Sequence, residues 1–300
     1  LLHLYDLEGE AFLKRLRGMF AFAIWDDRKK QLILARDHFG QKPLYYSLVN
    51  GTLRFASQVK ALRTCPKIPD SPDPAGHVGF FLWGHVPAPV TMFRDISNLP
   101  AGSALVANFE GVSQPLFFFR MHREIESIAP LEIRSEVEKL EYLRNTIHES
   151  VQAHLLSDVP VGLFLSAGID STVVSALASE NSTQNLQSIT LGFQEFIGTP
   201  SDETIHAKIT AEALGLKHKT VWISGKEFFN DLNRYFSAMD QPTIDAVNVY
   251  LVSKIAAQQG LKVALSGLGG DELFGSYPSF GQVPKLVHFL RPFRNAPWLG

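Results

Sequence analysis

The sequence predicts two domains in series, an α+β half rich in antiparallel strands over about residues 1–120 and an α/β half with a mostly parallel sheet over 136–300. Three observations carry this. Short apolar strands separated by polar turns fill the first third, with Val49-Asn50-Gly51 as a hairpin signal. From Glu136 the apolar period becomes helical (Val137, Leu140, Leu143, Ile147, Val151, Leu155), after which strands and helices alternate. Two Ser/Gly-rich stretches, Ser166-Ala167-Gly168-Ile169-Asp170-Ser171-Thr172 and Ser266-Gly267-Leu268-Gly269-Gly270-Asp271-Glu272, each close an apolar run that reads as a buried strand.

In chain order, Leu2, Leu4, Leu7, Phe12, Leu13 and Leu16 mark an opening helix. Strands are expected at Met19–Trp25, Gln31–Arg36, Leu44–Leu48 and Leu53–Ala56, then a loop punctuated by Pro66, Pro69, Pro72 and Pro74. An apolar stretch from Val78 to Trp83 precedes a second strand pair, Ala104–Asn108 and Gln114–Phe118. The mixed-charge, aperiodic run over 121–135 is taken as a linker. Beyond the helix from Glu136 come strands Val161–Leu165, Leu186–Leu191, His218–Ile223 and Leu261–Leu265. Helices fall from Ser171 to about Glu180 and over Asp202–Leu214, Lys226–Ala238 and Val247–Gln259. Such βαβ alternation implies right-handed crossovers, and ligands of these sheets gather at strand C-terminal ends.

Composition narrows the class. Hydrophobic residues make up 45 % and the net charge is −2, so neither a polyanion partner nor nucleic acid is implied. No apolar run reaches the ~20 residues needed to span a bilayer, so no membrane partner is expected. Lys14, Arg15 and Arg17 read as the solvated face of a helix. One cysteine, Cys65, forbids an internal disulfide and fits a reducing, cytoplasmic setting; with no histidine nearby it reads as an inert packing thiol. The ten histidines show no pair at zinc-ligand spacing.

The first Ser/Gly loop opens a helix, so unpaired N–H groups and the positive helix end converge where phosphate oxygens can sit. It lacks the Lys of the Gly-x-x-x-x-Gly-Lys-Ser/Thr cradle and carries Asp170 at the helix start. A carboxylate beside phosphates needs an intervening divalent cation. Mg²⁺ takes one or two protein carboxylates, which makes Asp271 the natural second ligand. Glu272 is assigned to local helix structure, and so are Asp202 and Glu203. Arg36, Asp37 and His38 occupy a strand end and turn and are read as structural.

The paired loops resemble the PP-loop ATP pyrophosphatases, whose loop usually reads Ser-Gly-Gly-x-Asp-Ser. The surrounding text resembles the asparagine synthetase family more closely: Leu156-Ser157-Asp158-Val159-Pro160-Val161-Gly162, Met239-Asp240-Gln241-Pro242-Thr243 and Gly270-Asp271-Glu272-Leu273-Phe274-Gly275-Ser276-Tyr277. Gly18-Met19-Phe20-Ala21-Phe22-Ala23-Ile24-Trp25-Asp26 and Arg36-Asp37-His38-Phe39-Gly40-Gln41-Lys42-Pro43-Leu44-Tyr45-Tyr46 resemble the class II glutaminase domain of the same family. The resemblance implies an αββα N-terminal-nucleophile domain over 1–120 and a PP-loop domain over 136–300. The first would release ammonia from glutamine, and the second would adenylate a carboxylate such as aspartate with Mg²⁺ and ATP, leaving pyrophosphate. It implies nucleotide contacts from Leu165, Ser166, Ala167, Gly168, Asp170, Ser171, Thr172, Leu191, Ser266 and Gly267, and metal ligation by Asp170 and Asp271.

Other readings stay open: a relative that amidates or cyclises a different acid, as β-lactam synthetases do; a PP-loop enzyme acting on tRNA or GMP, disfavoured by the glutaminase-like half; and a non-catalytic nucleotide-binding module. A homodimer is compatible with all of them. The resembled glutaminase uses a terminal Cys, and Leu1 is not one, so no glutaminase nucleophile is assigned. The opening without Met and the stop at Gly300 lead to the expectation that both domains are incomplete. Two departures from the family pattern matter. Ala167 replaces a usual Gly and is expected at negative φ. Leu268 stands where the family commonly has Glu, and Asp240 and Asp245 are the acids expected to replace it near the acceptor.

Overall fold

The computed structural model describes residues 1–129, 135–181 and 186–291. The chain divides into two compact units, Leu1–Glu132 with Asn233–Val247, and Ile133–Leu232 with Asn248–Gly300. The return of 233–247 to the first unit departs from a simple serial division.

The first unit begins with α1 (Leu2–Glu8) and a 3₁₀ segment, Gly9–Arg15. It continues through β1 (Ala21–Asp26), β2 (Gln31–Arg36), β3 (Tyr45–Val49), β4 (Thr52–Ala56), α2 (Val59–Arg63), α3 (Pro74–Trp83), β5 (Ser97–Asn98), β6 (Ser103–Asn108), β7 (Gly111–Val112), β8 (Leu116–Phe117) and α4 (Met121–Ser127). One antiparallel sheet runs β1-β2-β6-β7, with β8 also on β6; a second runs β4-β3-β5. Three apolar layers order these parts. Tyr5, Phe12 and Leu13 pack on Ile24, Ile33 and Ala35, covering one face of the larger sheet. Leu34 and Leu105 meet Tyr46 and Leu53 between the two sheets. Val59 and Leu62 of α2 cover Tyr45 and Ala56 on the far side of the smaller sheet. This is the αββα layering the resemblance implies. The β3–β4 hairpin turns at Asn50 and Gly51, both with positive φ, as two-residue turns of this hand require.

Two elements depart from expectation. The apolar stretch ending at Trp83 belongs to α3, which starts at Pro74 with the Asp73 carboxylate accepting from Ala75 N. Part of the expected linker 121–135 is the helix α4, while 130–134 lie outside the described residues.

Asp26, at the end of β1, is buried and accepts hydrogen bonds from Tyr5 Oη at 2.7 Å and from the N–H groups of Arg28 and Lys29. These bonds, Tyr5 first, hold its carboxyl below the usual range. A depressed folded-state pKa contributes stability above the ordinary carboxylate value, about 4, and that contribution is lost as pH falls through the folded value. Asp26→Asn should therefore flatten the acid side of the stability curve; equal urea midpoints for both proteins across pH 2–5 would refute it.

The second unit contains α5 (Glu136–Leu155), β9 (Val161–Phe164), α6 (Ile169–Asn181), β10 (Gln187–Phe193), α7 (Thr204–Ala213), β11 (Lys217–Ile223), most of α8 (Gly225–Ala238) and of α9 (Ala246–Gln258), β12 (Val263–Leu265), α10 (Gly270–Phe274) and α11 (Pro278–Leu290). A capping box starts α5: Ser135 Oγ accepts from Glu138 N, and Glu138 accepts from Ser135 N. The sheet is wholly parallel in the order β11-β10-β9-β12. Leu163, fully buried in β9, packs with Val151 of α5 and Leu177 of α6; Ala207 and Ala211 of α7 pack on Leu165. Among the described residues, no helix is long and apolar enough to cross a membrane.

Candidate nucleotide site

The chain builds β9, β10 and β11 outward in one direction, then returns to lay β12 on the other side of β9. The gap above β9 and β12 is therefore the topological switch point, where loops diverge and ligands of open α/β sheets bind. Val263↔Val161 and Leu265↔Leu163 are in register, so both loops leave neighbouring parallel strands at the same edge of the sheet, the one beginning at Ser266 two positions earlier than the one beginning at Ser166.

The loops also touch. A Cβ on Gly267 would lie 2.6 Å from Ser171 N and 2.9 Å from the carbonyl carbon of Asp170, so only hydrogen fits between the two backbones. A Cβ on Gly270 would lie 2.2 Å from Asp170 Oδ2, which puts the Asp170 carboxylate against the backbone immediately before Asp271. Asp271 itself accepts a short hydrogen bond from Ser276 Oγ. Glu272 accepts from Tyr277 Oη at 3.1 Å, in keeping with a local structural role.

Ser171 is the hub of the first loop. Its buried hydroxyl accepts from Ser166 N at 3.1 Å and lies 2.9 Å from Ser166 Oγ, with Gly168 O also 3.1 Å away. Ser166 Oγ in turn accepts from Gly168 N, and Thr172 Oγ1 donates to Gly168 O at 2.9 Å. Ser171, expected among the phosphate contacts, thus uses its hydroxyl to shape the loop. Ala167 is not among the residues with positive φ, so its methyl imposes no left-handed strain. In the second loop Ser266 Oγ accepts from Leu268 N at 3.1 Å, while the Leu268 side chain is 88 % exposed and fills no core position.

Leu191 lies within β10, opposite Val221 of β11. On its other side the pairing of β10 with β9 ends at Ile189↔Phe164, so Leu191–Phe193 run past the end of β9 toward the same gap. The structure thus brings Leu165, Ser166, Ala167, Gly168, Asp170, Ser171, Thr172, Ser266 and Gly267 to one sheet edge, with Leu191 adjoining.

Asp240 groups with the first unit: both of its oxygens accept backbone N–H groups there, from Val59 at 2.8 Å and Lys60 at 3.0 Å. Asp245 is exposed and its N–H donates to Thr243 Oγ1. Cys65 packs against Val59 and Leu62 as a free thiol. Among the described residues, no cluster of three or more His, Cys, Asp or Glu could hold a metal.

Comparison with known sequences decides the lineage. The family described as "Asparagine synthase" matches residues 142–297, more than half of the chain. This chain belongs to the asparagine synthase family. A glutamine amidotransferase domain matches residues 1–118. "Asparagine synthetase [glutamine-hydrolyzing] 1" of Bacillus subtilis is 34 % identical over 99 % of this chain and 45 % of its own length. "Asparagine synthetase B [glutamine-hydrolyzing]" of Escherichia coli is 29 % identical over 95 % of this chain and 48 % of its own. "Amidase chry2" of Gibberella zeae is 29 % identical over 92 % and 42 %. The chain therefore spans less than half the length of each of these relatives. For an asparagine synthase family member, the placement of both Ser/Gly loops at one switch point agrees with the motifs that first suggested the lineage.

Proposed function

We propose that the protein acts as a glutamine-dependent amidotransferase of the asparagine synthetase type, with a glutaminase-like part over 1–120 and a PP-loop part over 136–300. The observation that carries this reading is the contact of Gly267 and Gly270 with Asp170, which joins the two loops into one cradle at the switch point. The acceptor carboxylate attacks the α-phosphorus of ATP and pyrophosphate departs; ammonia then attacks the acyl carbon of the adenylate and AMP departs. A free carboxylate is a poor acyl donor, which is why adenylation comes first. Backbone N–H groups of the loop and the start of α6 receive the pyrophosphate, in a shape fixed by Ser166, Ser171 and Thr172. Ser266, Gly267 and the Leu191 edge form the nucleotide wall. Asp170 and Asp271, a pair of hard oxygen donors, suit Mg²⁺, which when bound neutralises the phosphate charge. The partners are small molecules, the setting is cytoplasmic, and a homodimer is the assembly we expect.

A second reading concerns the acceptor. Leu268 is exposed between glycines that touch Asp170, and leucine can neither ligate metal nor orient ammonium. An acid other than aspartate would account for it.

The test is ATP–pyrophosphate exchange by the full-length enzyme with Mg²⁺ and a panel of carboxylic acids, in the wild type, Asp170→Asn and Leu268→Glu. Exchange that depends on an acid and falls at least ~100-fold in Asp170→Asn is expected. No exchange with any acid, or exchange indifferent to Asp170, would overturn the nucleotide-site assignment. Robust exchange with aspartate by the wild type would sink the idea of a changed acceptor.

A further inference from the structure

The excursion Asn233–Val247 belongs to the first unit, whereas the chain on both sides of it belongs to the second. Side chains and backbone groups hold it at three places. Asp240 caps α2 from 180 residues away, with Oδ2 on Val59 N and Oδ1 on Lys60 N; the residue preceding α2, Gln58, offers no side-chain cap of its own. Lys60 returns the bond: its Nζ donates to Ser237 O at 3.1 Å and Ala238 O at 3.2 Å, the last carbonyls of α8, a helix with no basic residue in its final turn. Gln241 Oε1 accepts from Met92 N at 2.9 Å, and Ile244 N donates to Gly84 O at 2.9 Å.

Each helix end is thus completed by the other's partner. An acid meets the positive end of α2, and a cation meets the negative end of α8. The Tyr45 hydroxyl is pushed up, first by burial and next by the charge of Asp240. Each Asp240 oxygen is engaged by a backbone donor at the start of α2, whereas its place in the Met239–Thr243 motif suggests an acceptor contact.

We infer that Asp240 and Lys60 form a reciprocal clasp, and that Asp240 is a positioning residue which keeps the excursion in register with the first unit so that ammonia release and ammonia use stay coupled. This rests on the proposed amidotransferase function. Nitrogen transfer requires the chemistry of one unit to serve the other, and the clasp acts on the stretch of chain that enters one unit and returns to the other.

The experiment uses full-length enzyme carrying Asp240→Ala, Asp240→Asn, Lys60→Met and the double change Asp240→Ala with Lys60→Met. Amide synthesis is measured with glutamine and with ammonium, together with glutamate released per amide formed and hydrogen exchange at 59–60 and 237–241. Asp240→Ala and Lys60→Met should lower glutamine-supported synthesis about tenfold or more, leave ammonium-supported synthesis within about twofold, and raise glutamate per amide. The double variant should be little worse than either single one, because one clasp is lost once. Exchange should quicken at both ends of the clasp in every variant, least in Asp240→Asn, which keeps one acceptor oxygen. Equal losses with both nitrogen sources, a change confined to the acceptor KM, or no change at all would overturn the inference. A wild type that makes amide from neither source would refute the proposed function instead. The exchange measurement would then decide the clasp, since unchanged exchange at 59–60 in Asp240→Ala removes it.

Discussion

Replacing Gly267 by alanine should abolish most nucleotide chemistry while leaving the protein folded. The new methyl would sit 2.6 Å from Ser171 N and 2.9 Å from the Asp170 carbonyl carbon, against an ordinary contact of 3.4 Å or more. Both obstacles are backbone, so neither can swing aside as a side-chain end could. The second loop, or the start of α6, must retreat by close to an ångström. A misplacement of about 1 Å between groups that act together costs on the order of 10²-fold in rate. We therefore expect ATP–pyrophosphate exchange to fall by about that factor in the full-length enzyme, with far-UV circular dichroism unchanged. Gly281→Ala is the control, because a Cβ there meets nothing within 4 Å. Exchange within threefold of wild type in Gly267→Ala would show that the loops do not need this approach.

The second large effect is on stability. Asp37 is 1 % exposed, and its carboxylate gathers four backbone N–H groups: Phe39 at 3.2 Å and Gln41 at 3.0 Å on Oδ1, Lys42 at 2.9 Å and Phe20 at 3.3 Å on Oδ2. Its own N–H and carbonyl bind Phe20 O and Gly102 N. Asp37→Ala removes every acceptor at once and leaves four part-buried N–H groups without this partner, each a loss of roughly 1 kcal/mol, at the low end of the range because water reaches part of the turn. A total near 4 kcal/mol is expected for the first unit, a large share of the ~5–15 kcal/mol that keeps a domain folded. Hydrogen exchange at Phe39, Gln41 and Lys42 reads this locally and avoids assigning one unfolding energy to a two-unit chain. Asp37→Asn, with one acceptor oxygen left, should fall between. Exchange slowed as much in Asp37→Ala as in wild type would contradict the account.

Arg36, beside it, belongs to the same frame: its guanidinium donates to Lys42 O and Leu99 O at 2.8 Å and to Gly40 O at 2.6 Å. The assignment of Arg36 and Asp37 to structure was readable from their place at a strand end. Their partners were not, since those come from a turn whose shape no local pattern specifies.

The same division holds across the molecule. β9 and β12 are legible because short apolar runs end abruptly in Ser and Gly, and the helical apolar period from Glu136 announces α5. Helix α3 was less legible because Gly76 and Gly79 interrupt its apolar pattern, although Asp73-Pro74 is a start signal that could have revealed it. The two loops that meet at the switch point were singled out by motif, but the hydrogen bonds of Ser171 inside the first loop were not, since a hydroxyl's partners depend on how the turn closes. Asp240 shows the limit most clearly. Its neighbours in sequence suggest an acceptor contact, whereas its neighbours in space are amides 180 positions earlier, and only the folded chain reveals them.

The parallel sheet supports the two halves of the cradle unequally. The strand that delivers Ser166 is flanked on both sides, whereas the strand that delivers Ser266 has three residues and, among the described residues, pairs only with β9. The first loop is therefore the fixed jaw of the site and the second the yielding one, with fewer backbone bonds to break before it parts from its neighbour. A bound nucleotide that spans both would act as the missing rivet, and its dissociation would begin at the side of β12.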